Sequence, residues 1–203
     1  IDVLQIMQYP EVDLGKIAVT GHSRYGKAAL VTGAFDERIA LTAPSHSGAG
    51  GADPFKLWFT GGEPMNVVTG SAEGHWFSSA IQAFVADPDT MPVDSHELLG
   101  LVAPRALIQI EGTFDPGTNP KGTQLAYQGA RRIFETIGVG SKLGIRYRPV
   151  GHVANDGDVV AFGAFLWNGA ALPEGFNVMP YPIAPITPAE AAALEEPSAE
   201  DPE

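Results

Sequence analysis

A serine set between glycines, at the junction of an apolar run and a helix-forming run, constrains this chain more than any other feature. The stretch reads Val19-Thr-Gly-His-Ser-Arg-Tyr-Gly-Lys27. The run Ile17 to Thr20 is short and apolar-leaning, which suits a buried strand. Lys27-Ala-Ala-Leu-Val31 suits a helix. Few residues separate the two, so the chain must turn sharply at Ser23. Gly21 leaves room for that turn, and the turn pushes the serine hydroxyl out above the sheet. The helix starting just behind directs its free N–H groups and the positive end of its dipole at the same point. A developing oxyanion would need donors there. The general form of such a nucleophile turn is G-x-S-x-G. Here Tyr25 fills the last place and Gly26 stands one residue later.

The rest of the chain alternates strand and helix signals. Val3, Leu4 and Met7 share one face of a helix over residues 1–9, which Pro10 ends. The strand Ile17–Thr20 and a helix over about 24–35 follow. Ile39-Ala-Leu-Thr-Ala43 reads as a second strand closed by Pro44. Residues 44–75 are glycine-rich and irregular, and a loop of that length inside a domain is usually functional. Residues 76–86 resume a helical pattern. Asp94-Ser-His-Glu97 has the form of a capping box and opens a helix to Val102. Ala106–Ile110 is a third strand, 123–137 a helix ended by Gly138, and Leu143–Tyr147 a fourth strand. Asp156 or Asp158 caps a last helix reaching Trp167. This pattern predicts the α/β class: an α/β-hydrolase-type, mostly parallel sheet with helices on both faces. Sites in such sheets lie at the carboxyl ends of the strands. Residues 1–170 read as the C-terminal part of a catalytic domain, and 171–203 as a proline-rich, then acidic, extension.

Charge is unevenly spread. The net value is −12, but residues 149–203 carry nine acids and no Lys or Arg. The first 148 residues are nearly balanced, so the acidity does not belong to the site, and nucleic acid is excluded as a partner. There is no cysteine, hence no disulfide framework or thiolate metal site. No window approaches ~20 uninterrupted apolar residues, so no membrane span is expected.

A serine nucleophile needs a base, and the base an orienting acid. The order nucleophile, acid, histidine is met in strand-end loops by Ser23, Asp115 and His152. Glu111 is the rival acid and His46 the rival base. His22 should point away from the site, and His75 and His96 begin or cap helices. The Arg24 N–H is a candidate oxyanion donor, with its guanidinium over the developing charge. Lys27, at i+4 from Ser23, can face the same pocket. Such cations suit a substrate rich in hydroxyls or negative charge.

Gly21-His-Ser-Arg-Tyr-Gly-Lys27 resembles the nucleophile motif G-C/H-S-R-x-G-K of the glucuronoyl esterases, carbohydrate esterase family 15. The resemblance continues through Phe35-Asp-Glu-Arg-Ile-Ala-Leu41, Ser47-Gly-Ala-Gly-Gly51, His75-Trp-Phe-Ser78, Pro92-Val-Asp-Ser-His96 and Leu101-Val-Ala-Pro-Arg105. It covers about four-fifths of the chain. It implies hydrolysis of 4-O-methylglucuronate esters between glucuronoxylan and lignin alcohols, without metal or organic cofactor. It implies Ser23 as nucleophile, His152 as base, Arg24 as oxyanion stabiliser, and Lys27, Glu73 and Trp76 as sugar-binding residues. A secreted or periplasmic location follows from that resemblance alone.

Two places depart from the family. Fungal members carry their catalytic glutamate where His46 stands, whereas Asp115 matches the acid that bacterial members often use. Pro116 replaces a sugar-contacting tryptophan. The elbow also comes unusually early for a hydrolase sheet, so a missing N-terminal half of the fold, as a separate segment or chain, is an expected partner. Another acyl hydrolase on this fold, or an inactive carbohydrate-binding relative, are the competing readings.

Overall fold

The structure, a computed structural model, describes residues 2, 9–57, 59, 61–70 and 74–167. Among these, four strands form one parallel sheet in chain order: β1 (Ala18–His22), β2 (Leu41–Ser45), β3 (Ala106–Gly112) and β4 (Leu143–Arg148). Its register pairs Val19 with Thr42, Thr42 with Leu107, and Ile110 with Arg146. The helices are α1 (Arg24–Phe35), α2 (Met65–Val68), α3 (Ser95–Gly100), α4 (Pro120–Thr136) and α5 (Asp156–Trp167).

A strand order without reversal decides where the helices go. Each crossover steps in the same direction, and right-handed crossovers then put α1, α3 and α4 on one face. Leu30 of α1, Leu99 of α3 and Ala126, Ala130 and Phe134 of α4 meet Leu107 and Ile145 there. The last helix, α5, takes the other face, where Phe162 and Phe165 pack on Leu41, Ala43, Ile108 and Ile110. Covered on both sides, β3 is buried at every position. That is why it reads as a nearly continuous apolar run. In contrast, none of the five residues of β1, at the sheet edge, is fully buried.

All four strands run further towards their carboxyl ends than their apolar runs. The first continues to His22, which brings that residue to the site. The second begins at Leu41 and includes Pro44, expected to close it. Its pairing with β3 skips Ala43 and Pro44, where the proline has no N–H to give. The helical pattern over residues 76–86 forms two separate 3₁₀ turns, Gly74–Trp76 and Ser79–Phe84. Ser78 starts the second by accepting from the Ala80 N–H, so no continuous helix develops.

The glycine-rich segment is held by side chains rather than by regular structure. Asp94 caps α3 in the expected box with Glu97, and its carboxylate also accepts from the N–H groups of Phe55 and Lys56 at 2.9 and 3.0 Å. Asn119 donates to Asp53 Oδ1 at 2.7 Å and to the Leu57 carbonyl at 2.9 Å. These bonds fix one wall of the site. No helix among the described residues is long and apolar enough to cross a membrane. The expected helix over residues 1–9 falls almost entirely outside the described residues, and the 171–203 extension wholly so.

Candidate active site

β1 turns into α1 at Ser23. Its φ of 60° and ψ of −129° lie where side-chain-bearing residues are strained, and strain persists only where the surroundings over-determine it. The Ser23 N–H donates to the Ser45 carbonyl at 2.9 Å, and the Gly26 N–H donates to the Ser23 carbonyl at 2.8 Å. A Cβ on Gly21 would stand 2.2 Å from the Tyr25 carbonyl oxygen. One on Gly26 would stand 2.9 Å from the Ser45 carbonyl oxygen, which accounts for the late glycine: the first turn of α1 rests on the end of β2. The Ser23 hydroxyl is not spent on capping its own helix.

His152 lies in the loop after β4, and that loop is clamped from below. Arg148 Nη2 donates to the Val153 carbonyl at 2.6 Å and to Asp158 Oδ2 at 2.8 Å. The same carboxylate oxygen accepts from the Asn155 N–H at 3.1 Å. From the neighbouring loop, the Phe114 N–H donates to the Val150 carbonyl at 3.0 Å. His152 Nδ1 lies 2.7 Å from Asp115 Oδ2, as expected of an acid that orients a base. With Nδ1–H directed at the carboxylate, Nε2 is left free to exchange a proton. Asp115 is 6% exposed, the His152 side chain 44%.

Glu111, the rival acid, is fully buried with neither carboxylate oxygen hydrogen-bonded. Burial, with Asp115 adding to it, pushes its pKa well above the ordinary 4.5. Its side chain does not line the cavity that Asp115 and His152 share, and Asp115 is the carboxylate that meets His152.

Ser23, Lys27, Glu63, Trp76, Asp115 and His152 line one cavity of about 120 Å³. Lys27 is 8% exposed, and its Nζ donates to the carbonyls of Ser47 and Ala49 at 2.5 and 2.7 Å. Burial brings its pKa down to about 8, against the pull of Glu63, Asp53 and Glu111. The Nζ stands 5.7 Å from the centre of the Trp76 ring. Arg24 lies outside this cavity. Its guanidinium sits 5.3 Å from the Tyr25 ring and 6.0 Å from that of Trp76, bordering a second cavity of about 440 Å³. Only its main chain, at the start of α1, belongs to the serine turn.

The other histidines divide. His22, expected to point away, has its ring 4.6 Å from that of His152 and 5.0 Å from that of His46. The extra length of β1 puts it there. His46 is fully buried, 5.7 Å from the His152 ring and at 88° to it. His96 pairs with Glu97 at 3.1 Å, and His75 packs against Trp76; neither lines the cavity. Glu73 lies outside the described residues. Glu63 is a cavity residue that sequence reading missed. Its only signal was an acid within Gly61-Gly-Glu-Pro64, a turn composition. Its N–H donates to the Gly117 carbonyl at 3.1 Å, tying its turn to the Asp115 loop. Among the described residues, no group of three or more His, Cys, Asp or Glu is arranged to hold a metal ion.

The family description "Glucuronyl esterase, fungi" matches residues 1–138. The chain belongs to the glucuronoyl esterase family. A 4-O-methyl-glucuronoyl methylesterase of Phanerochaete carnosa is 41% identical over 143 residues, which cover 68% of this chain and 35% of that protein. The carbohydrate esterase family 15 glucuronoyl esterase structure from Caldicellulosiruptor kristjansonii superposes with a TM-score of 0.78 at 37% identity, covering 89% of this chain and 54% of that one. The glucuronoyl esterase catalytic domain of Hypocrea jecorina gives a TM-score of 0.73 at 28% identity, covering 88% and 53%. The chain thus shares the α/β-hydrolase-type fold in part: it spans about a third of that first relative's length and about half of each of the two solved chains.

Proposed function

We propose that this chain carries the nucleophile, acid and base of a serine esterase acting on 4-O-methyl-D-glucuronoyl esters. The observation that carries the reading is the 2.7 Å contact between Asp115 and His152 beside the strained Ser23, with all three lining one cavity. Ser23 Oγ attacks the ester carbonyl while His152 Nε2 takes its proton. Asp115 holds the ring and steadies the imidazolium. The Arg24 N–H, at the start of α1, stabilises the oxyanion; one such donor is worth about 3 kcal/mol. The alcohol leaves with the proton from His152. Water, deprotonated by the same nitrogen, then hydrolyses the acyl-enzyme, and the cycle closes without a cofactor.

The substrate class rests on the walls of the cavity. Lys27 supplies a desolvated cation, Glu63 an acceptor, and Trp76 an apolar face, a set that suits a hydroxyl-bearing sugar acid. In this reading Glu73, by its place before the His75-Trp-Phe run, also binds sugar hydroxyls. The ester is one that joins glucuronoxylan to lignin, and a polymer of that kind requires an exported enzyme. Residues 1–170 form the C-terminal part of the catalytic domain and 171–203 an extension. The remaining part of the fold, as a segment or chain, pairs along β1.

The test uses protein expressed from the complete coding sequence. Methyl and benzyl glucuronate should be cleaved faster than methyl galacturonate or p-nitrophenyl acetate, and Ser23→Ala should lower the rate by at least ~10³-fold. A preference for the acetate overturns the glucuronate assignment. Turnover that survives Ser23→Ala overturns the serine mechanism.

A further inference from the structure

Two imidazoles, His46 and His152, line the cavity with His22 beside them, and the chemistry above uses only one. His46 is fully buried and sits at φ 47°, a conformation that strains a side-chain-bearing residue. Its Nδ1 lies 2.9 Å from Ser45 Oγ, while its Nε2 has no hydrogen-bond partner among the described residues. Ser45 is itself buried, and His46 Nδ1 is the neighbour its hydroxyl has. A buried hydroxyl proton with one acceptor in reach donates to it, because leaving it unmade costs the desolvation of the group. Donation from the Ser45 hydroxyl makes Nδ1 the acceptor and leaves the ring proton to Nε2. The ring faces His22, His152, Asp115 and Arg148, and burial brings its pKa down to about 4, so it is neutral near pH 7.

The space in front of Gly112 borders that nitrogen. A Cβ on Gly112 would stand 2.9 Å from His46 Nε2, 2.5 Å from the Val150 carbonyl oxygen and 2.7 Å from the Gly151 carbonyl oxygen. The donor nitrogen and the two carbonyls leading into His152 thus converge on space that only a glycine leaves open. Those carbonyls accept from the N–H groups of Phe114 and Val153, at 3.0 and 2.8 Å, and each keeps a second lone pair.

We propose that His46 is a positioning residue: held by Ser45 as its Nε2–H tautomer, it supports the Val150–Gly151 backbone and so sets the place of His152 over Ser23. The bond closes when the loop settles on a bound ester, as contacts of catalytic loops commonly tighten only in the complex. The role rests on His152 being the base of the esterase.

The test has two independent readouts on protein expressed from the complete coding sequence. Nitrogen NMR of histidine-labelled protein reads the tautomer directly, without a variant and without turnover. The expected result is a proton on Nε2 of His46 near pH 7; a proton on Nδ1 overturns the proposal. An enzyme found inactive on uronate esters sinks the esterase reading and leaves this measurement standing. The second readout compares His46→Leu with His46→Gln, which keeps an N–H donor. The leucine variant should lose about 10–100-fold in kcat with KM within about 3-fold, as losses of supporting hydrogen bonds do, and glutamine should recover most of the loss. Equal impairment of two variants that melt like the parent overturns it, and so does full activity of the leucine variant. Should the leucine variant fail to fold, the tautomer measurement alone decides.

Discussion

Asp115 and Glu111 stand four residues apart at one strand end and finish in opposite states. Asp115 meets an imidazole at 2.7 Å, whereas Glu111 is sealed below it without a hydrogen bond. Replacing each should therefore read differently. Asp115→Asn should lower kcat by about 10⁴-fold with little change in KM, because the ring loses its orienting charge. Glu111→Gln, at a side chain that does not line the cavity, should leave kcat within about 10-fold of the parent. Steady-state kinetics on methyl glucuronate distinguishes the two. If the asparagine variant keeps full activity, another group orients His152. Lys27 supplies a pH prediction. Its pKa is lowered to about 8, so it is cationic below that value and neutral above it. KM for a uronate ester should rise as pH passes upward through about 8, where the proton leaves. Lys27→Met should raise KM at pH 7 and abolish that rise. A parent KM that is flat from about pH 6.5 to 9 would remove Lys27 from sugar binding.

At the scale of elements, the parts that local chemistry dictates were legible in the sequence. The serine turn, the Asp94–Glu97 box and the order of strands and helices follow from short-range steric and capping rules. So did the pairing of Asp115 with His152, since both sit at strand ends of a parallel sheet. The place of Glu63 was not legible. It lies in the segment between β2 and α3, whose path is set by Asp94, Asn119 and Lys27, all distant in sequence. Periodicity carries no information about such bonds. The clamp under His152 was equally hidden, because Arg148 and Asp158 become partners only when α5 folds onto the far face of the sheet. Both side chains are under 10% exposed, at 7% and 3%. Asp158→Ala would strand a buried guanidinium and should cost about 3–5 kcal/mol, read as a drop in denaturant midpoint. Glu111 in β3 adds a pH dependence. Its folded pKa is raised, so the folded state binds the proton more tightly than the unfolded one, and stability falls as pH rises above about 4.5. Glu111→Gln removes that loss. Its melting temperature relative to the parent should increase from about pH 4.5 to pH 8, and a constant difference would mean that the carboxyl ionises freely.

Among the described residues, the β1 edge of the sheet stands beside an exposed apolar helix face. Among the described residues β1 pairs only with β2, and the helix beside it shows solvent a stripe of Tyr25, Val31 and Phe35, exposed at 65%, 44% and 72%. An unpaired strand edge next to an apolar helix face is a surface that folds of this type cover. The family relatives have the chain to do so, since this one spans 35% of one and 54% of another. The site sits on the same side, for Ser23 is the residue after β1 and Arg24 and Tyr25 open the exposed helix. Whatever pairs with β1 should therefore also stiffen the turn at Ser23. Amide hydrogen exchange measures this. In residues 1–203 alone, the amides of β1 should exchange much faster than those of β3, which is buried at every position. When the remaining strands of the fold are supplied in the same chain or added as a second one, β1 protection should rise towards that of β3, and esterase turnover should rise with it. Protection of β1 already equal to that of β3 in the 203-residue chain would show an edge that needs no partner.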